Sequence, residues 1–177
     1  MRPTLSIPGF ELRTFSLQDA GALSEAVQES QVEIHRWMDW AKIDYGRRDA
    51  ESFIEGSIDA LGSASAYDFG IFSPTDGLCG VVSINSIRQD HRNGNVGYWI
   101  RSPLAGRGIA TAAVRVVAPF GFDRLHLVRL EIVAAEHNTA SRRVAEKVGA
   151  QFECIARNRL LIHGNPSAAA VYSLVRS

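Results

Sequence analysis

The sequence predicts a mixed α/β sheet that carries helices on both faces. Three observations lead there. Short runs of alternating apolar and polar residues recur along the chain, as over residues 10–15. Runs with helical spacing stand between and after them. A Ser73-Pro74-Thr75-Asp76-Gly77 turn joins two strand-like runs as antiparallel neighbours.

The elements follow in order. Over residues 10–15, Phe10, Leu12 and Thr14 alternate with Glu11, Arg13 and Phe15 as a first strand. Ser16 caps a helix over 17–30, with Ala22, Leu23, Ala26 and Val27 on its inner face. The next run, from Val32 to Trp40, holds Trp37 and Trp40. It reads either as a short helix that pins aromatics into the core or as the wall of a substrate entrance. A helix over 48–61 is apolar at Phe53, Ile54, Ile58 and Leu61, and the Gly62-Ser63-Ala64-Ser65 cluster ends it. Strands over 67–72 and 78–87 flank the Ser73–Gly77 turn, and a polar connection over 88–94 leads to a strand over 96–100. Three adjacent antiparallel strands are expected from this stretch.

Ser102-Pro103 breaks the last of them, and Gly106-Arg107-Gly108 opens a helix over 107–122 with Ile109, Ala113, Val116, Val117 and Phe120 on one face. Pro119 deprives the Arg115 carbonyl of its helical partner, which predicts a kink or an early end. In the strand over 128–134 the even positions Val128, Leu130, Ile132 and Ala134 are all apolar, as a central strand requires. Asn138 caps a further helix with Ala140, Val144 and Val148 inward, Lys147 in its last turn and Gly149 just past its end. Runs over 152–162 and 168–175 make a final hairpin around His163-Gly164-Asn165-Pro166.

A chain of 177 residues suits one domain spanning 1–177. With 46% hydrophobic and 21% charged residues and a net charge of zero, nothing steers it toward nucleic acid or an anionic membrane. Cys79 and Cys154 lack metal-ligand spacing, so no metal is expected, and both read as small core residues of a reduced, cytoplasmic protein. Residues 1–9 carry no apolar signal-peptide core, and no run approaches membrane-spanning length.

The glycine turn is the stretch richest in chemistry. Gly106 and Gly108 let the backbone curl, and the first turn of a helix leaves N–H groups without helical partners. With the positive end of the helix dipole and Arg107 beside them, these donors suit a phosphate or pyrophosphate. A turn that merely needs glycine satisfies the same pattern. A dinucleotide fingerprint would require a third glycine where Thr111 stands, and a P-loop would require Gly-Lys-Ser/Thr.

Strand 96–100, the turn Gly106-Arg107-Gly108-Ile109-Ala110-Thr111, strand 128–134 and the segment from His137 to Gly149 together resemble the GNAT family of acyl-CoA-dependent N-acetyltransferases. Gly97-Tyr98-Trp99-Ile100, the Asn-x-x-Ser spacing of Asn138 and Ser141, and Trp37-Met38-Asp39-Trp40 are similar to the RimJ/RimL branch, which acetylates protein N-termini, including those of ribosomal proteins. The resemblance implies a mostly antiparallel sheet that splays between the strands at 96–100 and 128–134, its fourth and fifth. It implies acetyl-CoA as co-substrate, with the amides of Gly106, Arg107, Gly108, Ile109, Ala110 and Thr111 on the pyrophosphate and the Thr111 hydroxyl assisting. The pantetheine would lie along the splay near Trp99 and Ile100, with Asn138 bonding it, Ser141 beside the sulfur, and Arg142 or Arg143 reaching phosphate. Trp37 and Trp40 would face the acceptor.

The implied reaction is direct attack of an amine on the thioester carbonyl in a ternary complex. A backbone N–H near Trp99 or Ile100 would hold the developing oxyanion, and an acid and a base would move the protons. The chain departs from the family pattern at three points. Ala105 replaces a polar residue at the first position of the glycine loop, and Ala145 falls where many members carry an acidic tyrosine. Asn93-Gly94-Asn95 stands where a carboxylate often precedes the Gly-Tyr pair. Ser141 becomes the candidate acid, and His91, His35, Glu33 and Asp39 are candidate bases. The acceptor expected is a protein or peptide N-terminus. The alternatives are a small amine such as a polyamine, aminoglycoside or amino-acid derivative, which Glu33, Asp39 and Asp44 would attract, or a catalytically silent acyl-CoA-binding module. The edge of the final hairpin could support a homodimer.

Overall fold

The computed structural model describes residues 3–176. An eight-stranded sheet runs through the molecule in the order β1-β2-β3-β4-β5-β6-β8-β7. β1 (Thr4–Ile7), β2 (Phe10–Thr14), β3 (Tyr67–Ser73), β4 (Gly77–Arg88) and β5 (Asn93–Ile100) pair antiparallel in succession. β6 (Arg129–Ala135) pairs parallel to β5, and the hairpin of β7 (Gln151–Ile162) and β8 (Asn165–Val175) folds back so that β8 lies against β6. β1 was not expected. Its short run lies between Pro3 and Pro8 and is too brief for periodicity to register, and only pairing with β2 makes it a strand.

α1 (Ala20–Glu29), α2 (Gln31–His35) and α3 (Arg47–Gly62) cover one face, and α4 (Ile109–Asp123) and α5 (Thr139–Lys147) the other. Alternation in β4 serves both layers. Val81 joins Phe15, Leu23, Val27 and Ile54 beneath α1 and α3, whereas Val82 and Ile84 join Val114, Val117 and Leu130 beneath α4.

Several local expectations shift. The first helix begins as a 3-10 turn at Leu17–Asp19, because the Asp19 carboxylate accepts the Ser16 N–H at 2.8 Å and the Arg13 guanidinium at 2.8 and 2.9 Å. Ala20 and Ser24 face inward in place of the exposed Ala22. Ala140 is likewise exposed, and Ala145 takes the inward position on α5. α4 runs through Pro119 to Asp123 without an early end; Pro119 and Arg115 sit on its exposed side, where water can serve the carbonyl that proline leaves unpaired. Val128 lies just outside β6 and is exposed. Cys79 is buried as expected, but Cys154 is exposed, because β7 is an edge strand whose register shifts between Phe152 and Cys154. Among the described residues no helix is long and apolar enough to cross a membrane.

The parallel joint between β5 and β6 is short. Asn93, Gly94 and Asn95 pair with Arg129, Leu130 and Glu131, and the register ends there. Beyond it β5 stays on β4 as far as Ile100, and β6 stays on β8 as far as Ala135. The sheet is therefore split over its upper half, as the resemblance implied.

The position of β5 on β4 depends on Gly80, where a Cβ would collide with the Trp99 carbonyl oxygen and lie 2.9 Å from the Ile100 Cα. Gly80→Ala is expected to cost about 1–3 kcal/mol of stability, read from the urea unfolding midpoint.

Candidate active site

The split holds a cavity of about 350 Å³. Both faces of the sheet contribute to it. Tyr98, Ile132, Asn138 and Ser141 line it from the side of α4 and α5, and Trp37, Trp40, Asp68 and Trp99 from the side of α1 to α3. The parting of the strands leaves backbone groups free. The Arg101 N–H donates to the Cys79 carbonyl at 2.8 Å, and strand alternation carries that phase back along β5. Trp99 and Gly97 turn their N–H and C=O groups to β4, while Val96, Tyr98 and Ile100 turn theirs into the split. The donor that faces a bound group is thus at Tyr98 or Ile100; Trp99 contributes its indole, not its N–H. The Ile100 side chain packs on the core.

The glycine turn is held out from the end of β5. Arg101 donates to Glu29 at 2.6 Å, the Ser102 N–H to Ser30 Oγ at 2.9 Å and the Ser102 hydroxyl to Glu33 at 2.9 Å, which pins this segment to α1 and α2. Gly106 and Gly108 then adopt φ of +77° and +81°, the left-handed region that favours glycine. A Cβ at either would meet nothing within 4 Å. Gly108 caps α4, and the first helical bond is the Ala112 N–H to the Gly108 carbonyl at 3.0 Å. The N–H groups of Ile109, Ala110 and Thr111 therefore emerge from the helix end without helical partners. Arg107 is exposed and donates to the Pro103 carbonyl at 3.1 Å; Thr111 is buried.

Across the split, Asn138 caps α5 by accepting the Ser141 N–H at 3.1 Å. The Tyr98 hydroxyl donates to the Ser141 carbonyl at 2.9 Å and lies 3.1 Å from Ser141 Oγ, so the serine hydroxyl donates back to the phenol oxygen. Burial pushes the Tyr98 phenol up to about 12, so it stays protonated at neutral pH. Arg142 is turned inward, donating to the Tyr172 hydroxyl and the Glu136 carbonyl at 3.1 Å each, which leaves Arg143 as the exposed arginine of this pair.

Trp37 and Trp40 line the cavity. Trp40 is 43% exposed, with its ring 6.1 Å from that of Trp99 and 6.0 Å from that of Tyr45. The tip of the β7–β8 hairpin leans on the same segment. The His163 N–H donates to Asp39 at 2.8 Å, and the His163 ring stands 4.3 Å from that of His35.

None of the four candidate bases lines the cavity. His91 is exposed beside Asp90, Glu33 is held by Ser102, Asp39 is held by His163, and His35 packs on His163. The carboxylate that does line it is Asp68, which local pattern did not single out. Desolvation raises its carboxyl above the ordinary aspartate value, against hydrogen bonds from Ser57 and Ser83. One signal was available: Asp68 is the sole charge in its strand. Tyr98 was visible only as part of the Gly-Tyr-Trp-Ile run. Among the described residues no cluster of histidine, cysteine or carboxylate is placed to hold a metal.

Residues 10–151 match the family described as the acetyltransferase (GNAT) domain. The chain belongs to the GNAT acetyltransferase family. YdaF of Bacillus subtilis, provisionally named a ribosomal N-acetyltransferase, is 32% identical over 168 residues, covering 93% of this chain and 90% of its own. A Vibrio cholerae structure provisionally named a ribosomal-protein-serine acetyltransferase is 31% identical, with a TM-score of 0.83 and 98% of each chain covered. RimJ of Mycobacterium smegmatis, solved with a coenzyme A disulfide, is 26% identical at a TM-score of 0.86, covering 98% of this chain and 86% of its own. The chain is thus an N-acetyltransferase of the RimJ/RimL-like branch, with the GNAT fold.

Tyr98→Phe and Ser141→Ala remove parts of one hydrogen-bond pair. Each is expected to cost about 0.5–1.5 kcal/mol of unfolding free energy, with the double variant falling short of the sum, checked by urea titration of all four proteins.

Proposed function

We propose that this enzyme transfers the acetyl group of acetyl-CoA to the amino terminus of a protein or peptide, of the ribosomal-protein type, in a cytoplasmic setting. The observation that carries the reading is the split itself. It exposes β5 backbone groups at Val96, Tyr98 and Ile100, opens toward the tryptophans on one face and toward Asn138 and Ser141 on the other, and stands next to a free helix end. The residues present fit acetyl-CoA. Gly106 and Gly108 leave open space where side chains would stand, and the amides of Ile109, Ala110 and Thr111 point outward for a pyrophosphate. Arg107 is exposed beside them and can swing from Pro103 to a phosphate. Asn138, whose oxygen is spent on the helix cap, offers its NH₂ to an extended pantetheine chain.

Bound acetyl-CoA supplies the thioester that the amine attacks. The N–H of Tyr98 or Ile100 stabilises the negative charge that develops on its carbonyl oxygen. Ser141 turns its hydroxyl from Tyr98 to the leaving sulfur and passes it a proton, regaining one that the attacking nitrogen sheds as the amide forms, while Tyr98 stays anchored on the Ser141 carbonyl. Arg142, already engaged by Tyr172 and Glu136, acts by fixing α5; of the two arginines, Arg143 is the one free to reach a phosphate. Trp37 and Trp40 form the acceptor wall. A polyamine site would need Glu33, Asp39 and Asp44 on that wall, and none of them lines the cavity. The nearly wholly exposed edge strand β7, with Phe152 at 44% and Ile155 at 37%, offers a contact for a homodimer.

Gly108→Asp is expected to abolish acetyl-CoA binding by calorimetry, because it places a carboxylate and a left-handed-φ strain at the helix end; unchanged affinity would remove the phosphate site from this turn. Ser141→Ala is expected to lower kcat by about 10²–10⁴-fold, with a much smaller change in the KM for acetyl-CoA. The acceptor itself is tested by following thiol release from acetyl-CoA over amino-terminal peptides, polyamines and aminoglycosides; peptides should be the productive class, and release by polyamines alone would overturn the reading.

A further inference from the structure

The side of the cavity that faces α1 to α3 carries a polar strip. Asp68 pairs with Ser83 and Ser83 with Gly97, while two pairs further along Asn85 faces Asn95. Directly paired residues present their side chains on one face of a sheet, so these line up across β3, β4 and β5. They are joined head to tail. Asn95 Nδ2 donates to Asn85 Oδ1 at 3.1 Å, Asn85 Nδ2 donates to Ser83 Oγ at 3.0 Å, and Ser83 bonds the Asp68 carboxylate, which also takes a bond from Ser57 on α3.

A carboxylate only accepts, so Asp68 sets the sense of the whole row. Ser83 must donate to it, which leaves the serine oxygen for the Asn85 NH₂ and the Asn85 oxygen for the Asn95 NH₂. The unmet end is Asn95 Oδ1, which is buried and has no hydrogen-bond partner. Asn95 is also the last residue of β5 that pairs with β6, so this orphan acceptor stands where the split opens.

The charge of the walls points the same way. Asp68 is the one carboxylate among the lining residues, and no lysine, arginine or histidine is among them. Gly97 keeps the strip uncovered, since a Cβ there would press at 3.3 Å on both Asn85 Nδ2 and Ser83 Oγ. The Trp40 and Trp99 rings flank this face, and aromatic faces attract a cation. An α-amino group has a pKa of about 7.7–8.0 and so arrives largely as an ammonium at neutral pH.

We propose that this strip is the ammonium site for the acceptor, with Asp68 as counter-charge and base and Asn95 Oδ1 receiving an N–H of the same amine. The inference rests on the N-terminal acetyltransferase reading and supplies the group that deprotonates its substrate. One N–H bond of the ammonium breaks as an O–H bond forms on Asp68, the nitrogen lone pair is freed for the thioester carbonyl, and Asp68 later returns the proton to water. The desolvation that raises Asp68's proton affinity suits it to this exchange. The only other titratable group on the cavity walls, Tyr98, titrates near 12 and stays outside the working range.

Two measurements test the site independently. Tryptophan fluorescence, with coenzyme A present, follows binding of alaninamide, a minimal amino terminus, against uncharged N-acetylalaninamide. Wild-type protein should prefer the cation, and Asp68→Asn should weaken alaninamide by at least about tenfold and erase the preference. Equal binding of the two probes, or an unaltered preference in Asp68→Asn, overturns the site. In turnover with acetyl-CoA and an alanine-headed peptide, wild-type kcat/KM should level off below the pKa of the peptide amine. Asp68→Asn should instead climb with unit slope up to that pKa, because only amine already neutral can then react. A wild-type profile that parallels the variant's removes Asp68 as base.

Asn95→Ala should raise the KM for the peptide by about tenfold while keeping the wild-type profile, and an unchanged KM removes Asn95 from the site. Unchanged acetyl-CoA binding by calorimetry certifies the fold of each variant. Cation preference that depends on Asp68 in a protein that acetylates no peptide would sink the N-terminal reading and leave the ammonium site standing.

Discussion

The architecture turns on a joint of three residue pairs. β5 and β6 are bonded only where Asn93, Gly94 and Asn95 meet Arg129, Leu130 and Glu131. Each strand is then claimed by its other neighbour, β5 by β4 and β6 by β8, and the two antiparallel halves diverge. A buried sheet does not ordinarily leave strand backbone unpaired in its middle, because unmatched N–H and C=O groups are costly there. The divergence therefore creates a row of polar backbone groups that an extended ligand can complete like an added strand. The glycine turn, the α5 cap and the tryptophan wall are arranged around that gap.

Charge within the cavity is as economical as the joint. Its walls combine tryptophan and aliphatic surface with neutral amides and hydroxyls and a single carboxylate. In surroundings of low polarity one charge dominates the field, and its sign selects the ligand. Asp68 also organises its neighbours, since a hydrogen-bond row anchored on a pure acceptor has only one sense. Two carboxylates away from the cavity have arginine partners instead: buried Asp19 is held by Arg13, and Glu153, drawn down to about 2 chiefly by Arg129 with help from Ser173, steadies the outer hairpin.

What sequence revealed and what it concealed divide along a physical line. Features fixed by residues close in the chain were legible: the Asp76-Gly77 turn, the left-handed glycines at 106 and 108, the Asn138 cap, and the order of strands and helices that led to the GNAT resemblance. Features fixed by pairing distant residues were not. Asp68 gains its meaning only when strand register sets it beside Ser83, in line with Gly97 on the next strand, and Tyr98 when the split faces it toward Ser141. The histidines and carboxylates that seemed suitable by residue type were drawn into loop contacts that local periodicity does not encode. Cys154 misled for the same reason, because only the placing of β7 at the sheet edge turns it outward.

His163, in the turn after β7, reaches back to Asp39 from the far end of the chain, and Leu160 of β7 is part of the cavity wall. The two sides of the cavity are therefore built by different parts of the chain: exchanges at the tip and around Trp37 and Trp40 alter one, while Tyr98, Asn138 and Ser141 hold the other. A scaffold divided in this way lets one wall vary in sequence while the opposite wall keeps its hydrogen bonds.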